Sequence, residues 1–127
     1  MIDKENELKN IRDLEERTFN FSVEVINVLK EINYSKINDV IKYQLAKSST
    51  SIGANYEESQ GAYSKDDFKY KISICLREAK ESNYWLRIIK ATNIAKSKKI
   101  DFLILESEEL KKIFGSILKK IHYRKDV

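Results

Sequence analysis

One histidine, His122, and one cysteine, Cys75, are all that the sequence offers of the two side chains most used as catalysts and metal ligands. His122 falls in the last turn of the last predicted helix, where an imidazolium favours the negative helix end more often than it catalyses. No Ser-His-Asp set has a credible spacing, and no glycine-rich run could cradle a phosphate. Glu57 and Glu58 are adjacent, and adjacent helical residues point about 100° apart, so they make no evident acid/base pair. Glu58, Glu78 and Glu81 could meet around a metal in a helical bundle. Bundle metal sites pair such carboxylates with Glu-x-x-His motifs, which are missing here, and nearby Lys71 and Arg77 favour ion pairing instead. An enzyme would have to work with Asn55, Glu58, Lys71, Arg77, Glu78 and Glu81. Cys75 reads as a small core hydrophobe, and one thiol permits no internal disulfide or cysteine zinc set. The expectation is therefore no catalytic residue, no metal, no cofactor and no small-molecule substrate.

Charge offers a different kind of chemistry. The net charge is +4, from 24 Lys and Arg against 20 Asp and Glu. Residues 1–35 carry five basic and eight acidic side chains, whereas residues 94–127 carry nine and five. An acidic start and a basic end permit a nucleic-acid partner, with Lys98, Lys99, Lys112, Lys119, Lys120, Arg124 and Lys125 as candidate contacts. Lys112 and Lys119 lie one heptad apart on the outer face of the last helix, although Glu108 can pair with Lys112 at i,i+4. The opening MIDKENELKN has no apolar run of signal-peptide length, and no stretch approaches a membrane span. A cytoplasmic protein with no membrane partner is expected.

The elements that must position these residues are helices. The chain of 127 residues has no proline and only Gly53, Gly61 and Gly115, too few turn formers for an all-β domain. Residues 1–12 read as a polar, frayed lead-in, residues 13–123 as one four-helix domain and residues 124–127 as a basic tail. The first helix is expected from Asp13 to Ile32, on the stripe Leu14, Thr18, Phe21, Val25, Val28 and Ile32. Ser35 caps a second helix over Lys36–Gln60, striped by Ile37, Ile41, Leu45, Ser48, Ile52, Asn55 and Ser59. Its small residues, SSTSIGAN, would let a neighbouring helix come close. Gly61 is placed to end it in the left-handed conformation. Ser64 caps a third helix to about Asn93, on Phe68, Ile72, Cys75, Ala79, Ser82, Leu86, Ile89 and Asn93. The fourth carries Leu103, Ser107, Leu110, Phe114, Ile117 and Ile121. A tight 61–64 hairpin would face Ile52 with Cys75 and Ser48 with Ala79. The fold class is an all-α, antiparallel up-down four-helix bundle.

The third helix has a second apolar face. Tyr70, Ile74, Tyr84 and Ile88 are two residues out of phase with its core stripe, with Trp85 close by. Two residues turn about 200°, nearly to the opposite side. A chain this short has no fifth helix to cover them, so self-association through these five is expected.

The run from Ser48 to Leu86 resembles the signature of the bacterial four-helix-bundle family, also called the 23S rRNA intervening-sequence protein or S23 ribosomal protein family. Ser51 to Asn55, Glu58, Ser64 to Phe68, Lys71, Ile74, Glu78, Ala79 and Tyr84 to Leu86 carry the likeness. Ser59 departs from it, since Ala or Gly is usual there, and Arg77 stands for the usual Lys. The resemblance implies an up-down bundle assembling as a ring-shaped homopentamer, and no enzyme. It also implies a scaffold or adaptor for RNA or an RNA-associated protein, such as a reverse transcriptase or ribosomal component. A protein-only interaction module is the alternative, and an enzyme the remote one.

Overall fold

The computed structural model describes residues 4–125, with side chains for all of these except Glu7 and residues 122–125. Four helices follow one another: α1 (Lys4–Lys30), α2 (Lys36–Ser59), α3 (Lys65–Thr92) and α4 (Lys98–Lys125). Consecutive helices are neighbours, and α1 meets α4 along the loosest seam. The described residues contain no strand. All six residues of the expected first stripe are buried, Ile32 in the turn just after α1, as are Leu103, Ser107, Leu110 and Phe114 of α4. Their 3.6-residue recurrence puts one side of each helix into a common core.

The helix ends follow local chemistry. Ser35 and Ser64 are extended, and their hydroxyls accept from the backbone N–H of Asn38 and Asp67. Each side chain satisfies a donor that the first turn leaves without a partner. Lys42 Nζ donates to the Ile32 carbonyl at 2.6 Å, placing a cation beyond the negative end of α1. Helix α1 starts at Lys4, so the expected lead-in is helical from there on. The left-handed residue is not Gly61. Gln60 ends α2 at φ −71°, and the Gly61 N–H closes a turn on Glu58 O at 3.1 Å. Asn93, expected on the core stripe, is instead the left-handed cap of α3 at φ 56°. Asparagine tolerates that conformation better than other non-glycine residues. Ile37 also leaves its stripe and is 72% exposed, because it lies in the first turn of α2, beyond the layer that Ile41 closes.

The small residues of α2 serve two neighbours. Toward α1, a Cβ added at Gly53 would lie 3.2 Å from Thr18 Oγ1, and Ser22 Oγ donates to Ser49 O at 3.0 Å. Toward α3, Ser82 Oγ donates to Ser48 Oγ at 2.9 Å, and Cys75 Sγ lies 3.4 Å from Ile52 O. The Ile52–Cys75 contact fits the expected hairpin register, whereas Ser48, expected opposite Ala79, bonds Ser82 about one turn further along α3. Tyr56, absent from the expected stripe, is buried with its ring 5.9 Å from Phe114. Burial pushes its phenol up to about 12.

Candidate functional site

Contacts orient α3 about its own axis. Lys71 pairs with Glu58 at 3.1 Å and marks the flank toward α2. Asn83 Nδ2 donates to Ser107 Oγ at 2.9 Å, and Lys90 pairs with Asp101 at 2.6 Å, marking the flank toward α4. Tyr70 and Tyr84 lie between the flanks, facing outward and exposed. Ile74 is half-buried. Trp85 and Ile88 are half-buried too, packed in part against the core of their own chain. The rings of Tyr84 and Trp85 meet edge to face at 5.3 Å. The buried Trp85 Nε1 has no hydrogen-bond partner among the described residues. The five expected assembly residues therefore share one side of α3 but are covered to different degrees.

The six polar residues weighed for catalysis do not converge. Asn55 Nδ2 donates to Ser51 O of its own helix at 2.8 Å. The Glu58–Lys71 pair sits at the surface, and its hydrogen bond raises the lysine above its usual value. Arg77 is 4.0 Å from Glu78. Burial, and then the charge of Glu81, raise the Glu78 carboxyl, with Arg77 and Lys47 acting in the opposite direction. None of the six lines any of three surface grooves of 460–490 Å³. Among the described residues no group of three His, Cys, Asp or Glu side chains could hold a metal ion. Burial pushes the Cys75 thiol up to about 12, which disfavours a thiolate nucleophile.

Of the basic candidates, Lys98, Lys99, Lys112, Lys119 and Lys120 are exposed on α4. The side chains of Arg124 and Lys125, like that of His122, lie outside the described residues. Lys112 pairs with Glu109 at 3.5 Å, while Glu108 takes Lys111 at 3.3 Å rather than the expected Lys112. More basic groups than the α4 set face this region. Lys69, Lys80 and Arg87 follow the side of α3 that turns toward α4, while Arg77 shares the outward face of Tyr70 and Tyr84, one heptad from each. The spacings of Lys69, Lys80 and Arg87, eleven and seven residues, keep them on one helix face, a signal present in the sequence. Arg87 Nε donates to Asn83 Oδ1 at 2.9 Å, and its guanidinium carbon lies 5.7 Å from the Tyr84 ring centre.

The α1–α4 seam has the opposite sign. Arg17 makes a two-pronged contact with Glu106, Nε at 2.8 Å and Nη2 at 2.7 Å. That hydrogen bond is the main reason the guanidinium is held above its usual value. Asp13, Glu16 and Glu24 line the same groove of about 470 Å³, around Phe21, Phe102 and Leu103. Eighty-nine residues separate the paired side chains, and neither belongs to a motif or spacing that marks it in the sequence.

The model of the family described as 23S rRNA-intervening sequence protein matches residues 12–116. A solved structure from Bacteroides thetaiotaomicron VPI-5482, described as a protein with unknown function from the S23 ribosomal protein family, is similar. It shares 31% identity at a TM-score of 0.77, over 86% of this chain and 97% of that one. No curated protein matches the chain significantly. No described helix is long and apolar enough to cross a membrane.

Proposed function

Because the chain belongs to the 23S rRNA-intervening sequence protein family, we propose that it is a non-enzymatic, self-associating scaffold of the cytoplasm. In this reading it holds RNA, or an RNA-bound protein such as a reverse transcriptase or ribosomal component. The observation that carries the reading is the outer face of α3. All four helices already cover one another's core stripes, yet Tyr70 and Tyr84 remain exposed beside half-buried Ile74 and Ile88. A second copy of the chain is the simplest cover for such a face. A homopentameric ring would multiply the charge to about +20 and add weak phosphate contacts into avidity.

Light scattering tests the assembly, with an expected mass several times 14.9 kDa. Replacing Ile74 and Ile88 with Asp should give smaller species that stay helical by circular dichroism. Wild-type protein that remains monomeric at high micromolar concentration would overturn the reading. The acidic groove between α1 and α4 supports a second reading, a protein-only module, because its apolar floor ringed by carboxylates suits a basic protein segment. A titration with structured RNA separates the two.

A further inference from the structure

This inference rests on the nucleic-acid arm of the proposed function and gives it a surface. We propose that the α3–α4 seam is a track for the phosphate backbone of a nucleic acid, with Arg87 as its anchor.

Arg87 is held in place without being neutralised. Its tether is the side-chain oxygen of Asn83, a neutral amide only 2% exposed. Asn83 is itself fixed across the seam by Ser107, whose hydroxyl donates to Ile104 O at 2.7 Å. The chain Arg87–Asn83–Ser107 thus ties an exposed guanidinium to two helices. The guanidinium also lies over the Tyr84 ring, its carbon 5.7 Å from the ring centre. The tether uses only Nε, and the two Nη groups have no partner among the described residues. A guanidinium with its position fixed, its charge uncompensated and its fork free is suited to phosphate oxygens, which accept two parallel N–H bonds.

The surroundings extend the site into a track. Lys80 lies one heptad from Arg87, about 10 Å along the helix, and Lys69 continues the line. The Asn83–Ser107 contact sets the register that brings Lys80 opposite Lys111 of α4. Lys112 and Lys119 follow on α4. Glu108 and Glu109 reach only Lys111 and Lys112. Lys111 and Lys112 thus already have carboxylate partners, so the charge the seam offers a polyanion is chiefly that of Lys80 and Arg87. The line from Lys69 to Arg87 extends roughly 27 Å, long enough for several successive phosphates.

Fluorescence anisotropy would measure binding of a labelled RNA hairpin, and of DNA of the same sequence, between about 50 and 200 mM salt. The variants are Arg87→Gln, Lys80→Gln and their double. Lys9→Gln with Lys30→Gln removes equal charge from α1 as the control. Each seam variant should lower the slope of log affinity against log salt by about 1, and the double by about 2. The double should also weaken low-salt binding about tenfold or more on every RNA sequence, while the control keeps the wild-type slope. Circular dichroism confirms that each variant is folded. Arg87→Lys, which keeps the charge and loses the fork, should fall between wild type and Arg87→Gln. Tighter binding of RNA than of DNA would identify RNA as the source of the phosphates, and equal binding would identify readout of the backbone alone. Wild-type binding with an unchanged slope in the double would overturn the track and leave the RNA scaffold standing. Wild-type protein that binds neither nucleic acid would overturn the track and the RNA arm together, and light scattering still judges self-association on its own.

Discussion

Helix α4 meets an arginine along each of its two seams. Arg17, on the α1 side, is clasped by both oxygens of Glu106. Arg87, on the α3 side, is held through one nitrogen by Asn83. Each is tethered within a seam, so the difference lies in the partner. A carboxylate fixes the guanidinium and cancels its charge, which joins two helices where the bundle is loosest. A buried amide fixes the guanidinium and leaves its charge pointing outward. The first arrangement is structural, and the second leaves a cation available to a ligand. The contrast also polarises the molecule: carboxylates surround Arg17, whereas Lys69 and Lys80 share the helix face of Arg87.

The strongest way to break this comparison is Asn83→Ala. It removes a fully buried amide bonded to both Arg87 and Ser107, and leaves a small cavity between α3 and α4. The expected loss is roughly 2–3 kcal/mol, read from the midpoint of urea unfolding. The same change frees the guanidinium, so RNA binding should weaken about as much as in Arg87→Gln. A folded variant that keeps wild-type RNA affinity would show that Arg87 needs no tether.

Arg17→Gln should cost less, about 1–2 kcal/mol. The arginine side chain is 41% exposed and solvent screens part of the pair, but Glu106 is only 17% exposed and loses its bidentate partner. Added salt should shrink the difference from wild type, as it should not for Asn83→Ala. The RNA salt slope should not fall. A loss larger than that of Asn83→Ala would reverse the ranking and make the charged clasp the stronger joint.

These contrasts were legible to different extents. The α1 stripe, the Ser35 and Ser64 caps and the Ile52–Cys75 register are local or nearly local, so periodicity and turn chemistry reach them. Asn93, not Gly61, is left-handed because that conformation is set by how the chain leaves the helix, which residue type alone does not fix. The Arg17–Glu106 clasp joins the two ends of the sequence, and only the packed bundle brings them together. Arg87 and Asn83 stand at i,i+4, a spacing open to inspection. A neutral amide at that spacing carries no charge signal, however, and the aromatic residues on that side point to assembly. The basic face of α3 is therefore less conspicuous in the sequence than the lysines of α4.

Glu78 sharpens the comparison with a third case, a charge that is neither neutralised nor directed at a ligand. Its side chain is 18% exposed, and Arg77 approaches only to 4.0 Å. Burial is the main cause of its raised carboxyl value, followed by the nearby Glu81. A raised carboxyl holds its proton more tightly folded than unfolded, so ionising it at neutral pH costs stability. The favourable state is complete below the usual value near 4.5 and is lost as pH rises through the raised folded value. Glu78→Gln keeps the shape and carries no charge at any pH. It should raise the urea midpoint slightly at pH 7, the smallest effect of the series, and the gain should vanish near pH 4. A lower midpoint at pH 7 would mean that Arg77 and Lys47 outweigh burial. Glu78 would then belong with Arg17, as half of a structural pair.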